Sequence, residues 1–139
     1  MCPDSIHADH DTLALVPVRE FMTSPVVSIP PTATLKIALQ TLVNKKITGI
    51  PVVNESEQLI GVVTECDLLL QAAVGTLSRP VQFSKGGDSI SPDCTLKDVL
   101  VKMVKARRKW LPVVSSSGHV EGVIARRDLL KVMLQRSGE

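Results

Sequence analysis

Residues 61–69, GVVTECDLL, recur with small changes as residues 122–130, GVIARRDLL. The two stretches start 61 residues apart and share their glycine, first valine, aspartate and both leucines. Sliding residues 31–70 onto residues 92–131 needs no gap and gives 15 identities in 40 positions. The chain therefore contains two copies of one unit, and a fixed period of this kind decides the fold before any other pattern does.

Each copy is predicted to fold as strand, helix, strand, strand and helix. In the first copy, residues 26–29 predict a buried strand that Pro30 and Pro31 end, and residues 47–53 and 59–64 predict two more strands. Thr32 or Thr34 is the predicted cap of the first helix, and residues 65–74 predict the second helix. The first helix has apolar residues at helical spacing, namely Leu35, Ala38, Leu39, Leu42 and Val43.

The repeat also sets the predicted domain boundaries. Residues 1–16 are predicted to be a disordered tail, residues 17–75 the first repeat and residues 76–139 the second, with 76–91 as linker and first strand. Because Pro80-Val81 resembles Pro25-Val26 at a 55-residue offset, we expect about six extra residues in the linker, which its glycines and serines mark as a loop.

Composition narrows the class of protein. The 139 residues match one domain, and 44% of them are hydrophobic, but two Phe, one Trp and no Tyr leave no aromatic surface for base stacking. Three cysteines without Cys-x-x-Cys spacing predict reduced thiols, with Cys66 as an inert core residue. Without an apolar run near 18 residues or a secretory leader, the chain is predicted to be soluble and cytoplasmic, with no membrane partner.

The histidines and charged residues set further limits. The histidines are not at metal-ligand spacing and no Ser, His and Asp grouping is evident, so we predict no enzyme, no metal and no required cofactor. Residues 76–139 carry twelve Lys or Arg against six Asp or Glu, whereas residues 1–75 carry four against eight. This bias predicts an anionic partner, and the alternative is a solvated helix face that ends in basic residues.

The repeated phrase suggests a binding chemistry. A strand that ends at Thr64 and turns directly into a helix presents free N–H groups and a hydroxyl, which together suit an anion. The Asp67 carboxylate, three residues further on, can accept hydrogen bonds from vicinal hydroxyls such as those of a ribose. The alternative is structural, because Thr followed three residues later by Asp also caps a helix by itself.

The doubled pattern of h-P-V-V, a polar turn and G-h-h-T-x-x-D-L closely resembles the CBS domain pair, or Bateman module, over residues 17–135. The residues that carry the resemblance are Ile50–Val53 with Gly61–Asp67, and Leu111–Val114 with Gly122–Asp128. The resemblance implies an α+β sandwich of two tandem β-α-β-β-α repeats, related by a pseudo-twofold axis, with two clefts lined by both repeats.

The resemblance also implies the site residues. One cleft would combine Thr64 and Asp67 with Arg108, Lys109 and the strand around Asp88, although an apolar residue would face a base better than Asp88. The other would combine Asp128 and Arg127 with Val27, Ile47 and Thr48, and it lacks a hydroxyl at Ala125. The remaining ligand-binding residues implied are Ile50, Pro51, Leu111, Pro112 and Val123.

The resemblance implies a regulatory sensor of AMP, ADP or ATP, with NAD and S-adenosylmethionine as lesser alternatives. It also implies a homodimer and a regulated protein that the sequence does not identify. Two other functions stay open, which are a structural homodimerisation module with empty clefts and nucleic-acid binding through the basic second half.

Overall fold

The computed structural model describes residues 12–136, and they form two compact units. One unit contains residues 27–87, and the other contains the described residues up to Val26 together with those from Asp88 onward. Residues 17–26, predicted to begin the first repeat, therefore belong to the unit of the second copy, and residues 76–87, predicted as linker, belong to the unit of the first.

The unit of residues 27–87 is built on a three-stranded antiparallel sheet of order β1-β2-β3. Ile29 extends the sheet by a single parallel bridge to Val52. The core is aliphatic, and it includes Ile50, Val63 and Leu68. The elements in chain order are α1 (Leu35–Lys45), β1 (Gly49–Val53), β2 (Leu59–Thr64), α2 (Glu65–Val74) and β3 (Ser84–Lys85).

The other unit repeats this arrangement with a two-stranded antiparallel sheet. Thr23 adds an antiparallel bridge to Val123, and Ile90 adds a parallel bridge to Val113. Two 3-10 helices, Thr12–Leu15 and Val18–Glu20, come before the Thr23 bridge. The remaining elements are α3 (Leu96–Ala106), β4 (Trp110–Val114), β5 (Val120–Ala125) and α4 (Arg126–Arg136).

Side-chain caps fix where helices begin. The Thr34 hydroxyl accepts a hydrogen bond from the Ile37 N–H and starts α1, so Thr34 rather than Thr32 is the cap. Thr95 and Asp98 form a complete capping box at the start of α3. The predicted apolar stripe of α1 is correct in Leu35, Ala38 and Leu42, which are buried, but wrong in Val43, which is exposed.

The predicted first strand of each repeat is wrong in extent. In the first copy only Ile29 pairs, since its N–H donates to the Pro51 carbonyl and its carbonyl accepts from the Val53 N–H. The ladder cannot continue, because Pro30 and Pro31 have no N–H to donate. Ile90 makes the same pair of bonds, with Pro112 and Val114, in the second copy.

The predicted tail and linker also need correction. Residues 1–11 lie outside the described residues, but the rest of the predicted tail is ordered, since Thr12–Leu15 form a 3-10 helix and Val16 is buried. The structural counterpart of Pro80-Val81 is Pro17-Val18, because Val81 N–H donates to the Ala33 carbonyl as Val18 N–H donates to the Cys94 carbonyl.

This correspondence removes the predicted six-residue insertion. Thr23, paired with Val123, corresponds to Ser84, paired with Val62. From Val81 to Ser84 the linker is therefore two residues shorter than the matching stretch of the N-terminal segment, which runs from Val18 to Thr23. The sequence comparison was misled because Pro-Val occurs both at Pro17 and at Pro25.

The cysteines agree only in part with the prediction of reduced thiols, since Cys66 is free but Cys94 is not. Cys94 is buried and disulfide-bonded. Cys66, predicted to be in the core, is a free and exposed thiol. In residues 12–136, no helix combines the length and the apolar character that a membrane span requires.

The glycines of the repeated phrase lie where another segment crosses the sheet. A Cβ at Gly61 would clash with the ring of Phe83 and with the Ser84 carbonyl oxygen. A Cβ at Gly122 would lie 2.6 Å from the Met22 sulfur and 3.0 Å from the Thr23 carbonyl oxygen. The added strand can approach this closely only because no side chain stands at either position.

We predict that Gly61→Ala and Gly122→Ala both lower the free energy of unfolding, by about 1–3 kcal/mol, through overpacking. Gly61→Ala should have the larger effect, because backbone lies in the way there, whereas the flexible Met22 side chain can move from Gly122. Urea denaturation measures both.

Gly75→Ala is the matched control, because its Cβ would meet mainly the mobile end of the Arg79 side chain. We expect it to change stability by less than about 0.5 kcal/mol. Equal effects of all three substitutions would show that the crossing does not constrain the sheet.

Candidate functional site

A complete capping box stands at the start of α2. Asp67 Oδ2 accepts hydrogen bonds from the Thr64 N–H at 3.0 Å and from the Thr64 hydroxyl at 2.9 Å. The Thr64 oxygen in turn accepts from the Asp67 N–H at 3.4 Å. The structural alternative considered from sequence, in which Thr64 and Asp67 satisfy the helix start by themselves, is confirmed.

The capping box leaves fewer hydrogen-bonding groups free for a ligand at the start of α2 than the sequence suggested. The Thr64 hydroxyl already donates to Asp67, and the Glu65 N–H donates to the Thr48 carbonyl at 3.1 Å. Both donors on Asp67 go to Oδ2, so Oδ1 has no hydrogen bond within the described part of the chain. The free acceptor of this carboxylate is therefore one oxygen atom.

The start of α4 is built differently, because Ala125 has no hydroxyl. Asp128 Oδ2 accepts from the Ala125 N–H at 2.8 Å, as Asp67 does from Thr64. Asp128 Oδ1 accepts from the hydroxyl of Thr23 at 3.0 Å. The N-terminal segment thus supplies a hydroxyl at the start of α4, where the second copy has Ala125 in place of Thr.

Thr23 is a residue that sequence reasoning missed. Its contact with Asp128 spans 105 residues, and the comparison of repeats matched the wrong Pro-Val pair to the linker. Placing Pro17-Val18 opposite Pro80-Val81 would have shown that the stretch after Pro17 is equivalent to the linker after Pro80. That alignment was the available signal.

Basic residues collect at the start of β4 and of α4 in the unit that contains Asp128. The Arg126 N–H donates to the Lys109 carbonyl at 3.2 Å, which brings the two chain segments together. Lys109, Arg126 and Arg127 are exposed and form no ion pair with any residue in the range 12–136. The 61-residue counterparts of these three positions are Thr48, Glu65 and Cys66.

Arg108 has an internal anionic partner. Its Nε donates to Asp88 Oδ2 at 3.0 Å, and both side chains are partly exposed. Asp88 was noted from sequence as a poor neighbour for a base, and the structure gives it another role, which is to orient Arg108. An exposed pair of this kind is worth no more than about 1 kcal/mol.

The other predicted site residues divide by burial. Ile50 and Leu111 are 0% and 1% exposed, and both pack into the cores of their units. Because these values cover the whole residue, main chain included, neither Ile50 nor Leu111 presents surface to a ligand. Pro51 and Pro112 are also buried, Val27, Ile47 and Val123 are half-buried, and Thr48 is exposed.

Ile47 also lines a shallow groove between α1 and α2. The groove has a volume of about 180 Å³, and its lining is mostly apolar, with Leu39, Leu42 and Leu69 beside Ile47. Pockets that enclose a small organic ligand have volumes of about 300–1,000 Å³. We therefore do not interpret this groove as the ligand site.

The CBS domain profile matches residues 18–73 and 77–135. The chain therefore belongs to the CBS domain family and carries two CBS domains in tandem, which confirms the family and the repeat inferred from sequence. The mixed α/β fold is confirmed by the crystal structure of CBSX2 from Arabidopsis thaliana in complex with AMP. It aligns with a TM-score of 0.78 at 26% identity, over 88% of this chain and 98% of that one.

Two further relatives are similar in sequence. An uncharacterized protein of Methanocaldococcus jannaschii is 31% identical over 126 residues, which cover 84% of this chain and 42% of that protein. The chloroplastic CBS domain-containing protein CBSX1 of Arabidopsis thaliana is 29% identical over 157 residues, which cover 88% of this chain and 66% of that protein. The chain thus spans less than two thirds of the length of these two relatives.

We predict that Thr64→Ala lowers the free energy of unfolding by about 0.5–2 kcal/mol, because it removes both hydrogen bonds of the Thr64 hydroxyl and leaves only the bond from the residue 64 N–H to Asp67. Chemical denaturation followed by far-ultraviolet circular dichroism measures the change. Thr32→Ala is the control, since Thr32 is exposed and makes no hydrogen bond within the described residues. A loss in the control as large as in Thr64→Ala would contradict a capping role.

Proposed function

We propose that this chain is a regulatory module that binds a phosphorylated adenosine compound and passes its bound state to a partner protein. The observation that carries the proposal is the start of α4. There the Asp128 carboxylate follows Arg126 and Arg127, two exposed cations without an anionic partner in residues 12–136. A carboxylate accepts hydrogen bonds from ribose hydroxyls, and guanidinium groups bind phosphate bidentately.

The relatives support the adenosine part of the proposal. CBSX2, which shares the fold at 26% identity, is a protein whose crystal structure is a complex with AMP. We rank AMP, ADP and ATP first for this chain because of the basic residues. NAD and S-adenosylmethionine are the alternatives, since they contain the same adenosine.

We propose the two clefts as the sequence suggested them. One would use Thr64 and Asp67 with Arg108 and Lys109, and the other Asp128 and Arg127 with Val27, Ile47 and Thr48. The second is the better candidate, because the capping box at Thr64 already uses the hydroxyl that the first cleft would need.

We propose a regulatory role and not a catalytic one. The groups at the two helix starts can bind and orient a ligand, but neither start provides a nucleophile beside a general base. The regulated partner and the predicted cytoplasmic location stay predictions.

The test is a thermal-shift and calorimetric panel of AMP, ADP, ATP, NAD, S-adenosylmethionine and a short oligonucleotide. We expect an adenine nucleotide to bind with a Kd near 1 µM, about −8 kcal/mol, and to stabilise the protein by about 2.7 kcal/mol at a hundredfold excess over Kd. Asp128→Asn should abolish most of this stabilisation, and Asp67→Asn, the matched control, should retain it.

The panel also tests the alternatives. If no adenosine compound shifts the unfolding temperature, the sensor proposal is wrong and a structural pairing module is favoured. Binding of the oligonucleotide alone, with an affinity that falls steeply as salt rises, would instead favour nucleic-acid recognition by the basic residues.

We further propose that the module is a homodimer. Support comes from large apolar side chains exposed on α2 and α4, including Leu70 at 70% and Leu134 at 73% exposure, since exposed apolar surface favours association. Leu69, Val74 and Leu130 add to these two surfaces.

Sedimentation velocity should give a dimer of the 15.0 kDa chain at micromolar concentration. Leu70→Glu and Leu134→Glu should each raise the dimer dissociation constant at least about tenfold, because each places a charge against apolar surface. Gln135→Glu adds the same charge at an exposed polar position of α4 and should leave the dimer intact. A monomer at all concentrations would contradict the proposal.

A further inference from the structure

We infer that Thr23, outside the repeated phrase, is the residue that positions the Asp128 carboxylate for a vicinal diol. The inference rests on the proposed function, because the diol is the ribose of the adenosine ligand. It goes further by naming a residue on the N-terminal segment as a determinant of ribose recognition.

The two aspartates differ in how their acceptor positions are used. An ionised carboxylate has about two acceptor positions on each oxygen. Asp67 receives both of its hydrogen bonds on Oδ2, so its open positions are both on Oδ1. Asp128 receives one hydrogen bond on each oxygen, from Thr23 and from the Ala125 N–H, so one position stays open on each.

This difference matters for a diol. Two neighbouring hydroxyls bind a carboxylate best as a bidentate pair, with one donor to each oxygen, as the two N–H groups of an arginine do. Asp128 presents that pattern of free acceptors, whereas Asp67 presents a single oxygen. The Thr23 hydroxyl produces the pattern because it holds Oδ1 while the Ala125 N–H holds Oδ2.

The backbone holds the Thr23 hydroxyl in place. Thr23 N–H donates to the Val123 carbonyl at 2.8 Å, and Val123 N–H donates to the Thr23 carbonyl at 3.0 Å. The crossing over Gly122 fixes the segment further, since the Thr23 carbonyl oxygen is 3.0 Å from where a Cβ would be. A carboxylate oriented before the ligand arrives loses less freedom on binding, which raises affinity.

The other unit provides an internal comparison. Ser84 is the counterpart of Thr23, but it has no hydrogen bond to Asp67, because Thr64 turns that carboxylate towards itself. The hydroxyl on the crossing segment is therefore used where the repeat has Ala in place of Thr. The Thr23 hydroxyl therefore takes the place, beside Asp128, of the hydroxyl that Ala125 does not have.

The experiment measures AMP and 2′-deoxy-AMP binding by calorimetry in an Asp67→Asn background, which isolates the site at Asp128. We expect Thr23→Val to weaken AMP binding about fivefold to tenfold, as loss of a hydrogen bond to a charged group does. Thr23→Ser should restore AMP affinity to within about twofold. Binding of 2′-deoxy-AMP, which has no diol, should change less than about twofold in Thr23→Val. Ser84→Ala is the matched control and should leave both affinities unchanged.

The outcomes separate this inference from the proposed function. If the parent protein binds no AMP, the proposed function fails and the inference fails with it. If AMP binds and Thr23→Val leaves the affinity unchanged, only the inference fails. An equal loss for AMP and 2′-deoxy-AMP would mean that Thr23 has a general structural role and would also overturn the inference.

A ligand-free measurement checks the hydrogen bond itself. Unfolding temperatures of Thr23→Val, Asp128→Asn and the double variant form a cycle. The effects should be non-additive, since the two side chains share one bond. Strict additivity would mean that the bond does not form in solution, and it would overturn the inference whether or not AMP binds.

Discussion

The close crossing of an extended segment over a glycine is the constraint on which the other features of each unit depend. At Gly61 the crossing chain leaves no room for a methyl group, and at Gly122 a methyl group fits only if the Met22 side chain moves. The crossing chain comes from outside the copy it completes, and at Gly122 it also brings the Thr23 hydroxyl to Asp128 at the start of α4. The repeat in the sequence and the unit in space are therefore different sets of residues.

The same scaffold then supports two unequal helix starts. At α2, Thr64 and Asp67 satisfy each other and leave one carboxylate oxygen open. At α4, Ala125 cannot enter such an exchange, and Asp128 is held from both sides by groups that lie 105 and three residues away. The end of β5 has Ala125 where the end of β2 has Thr64. The missing hydroxyl is thus replaced by a segment that is remote in sequence and adjacent in space. The similarity of the two copies does not make their binding properties equal.

The sequence predicted the regular elements well, because their signals are local. The bounds of β2 and α2 agree with prediction, since apolar periodicity and a Thr cap define them. The family followed from two motifs that repeat at a fixed distance. The contact of Thr23 with Asp128 could not be predicted in this way, because no local pattern reports which segment completes which sheet. Asp88 was likewise noted as unsuited to a base, but its ion pair with Arg108 needed the fold.

The pair of Asp88 and Arg108 also bears on how an anion would be recognised. Both groups are partly exposed, so breaking their contact costs at most about 1 kcal/mol. A phosphate offers a guanidinium two parallel hydrogen bonds and more charge than one carboxylate does. Asp88 therefore does not block Arg108, and it keeps the side chain ordered when no phosphate is near. Since Lys109, Arg126 and Arg127 have no such partner within the described residues, the unit combines one oriented cation with three that are free to adapt.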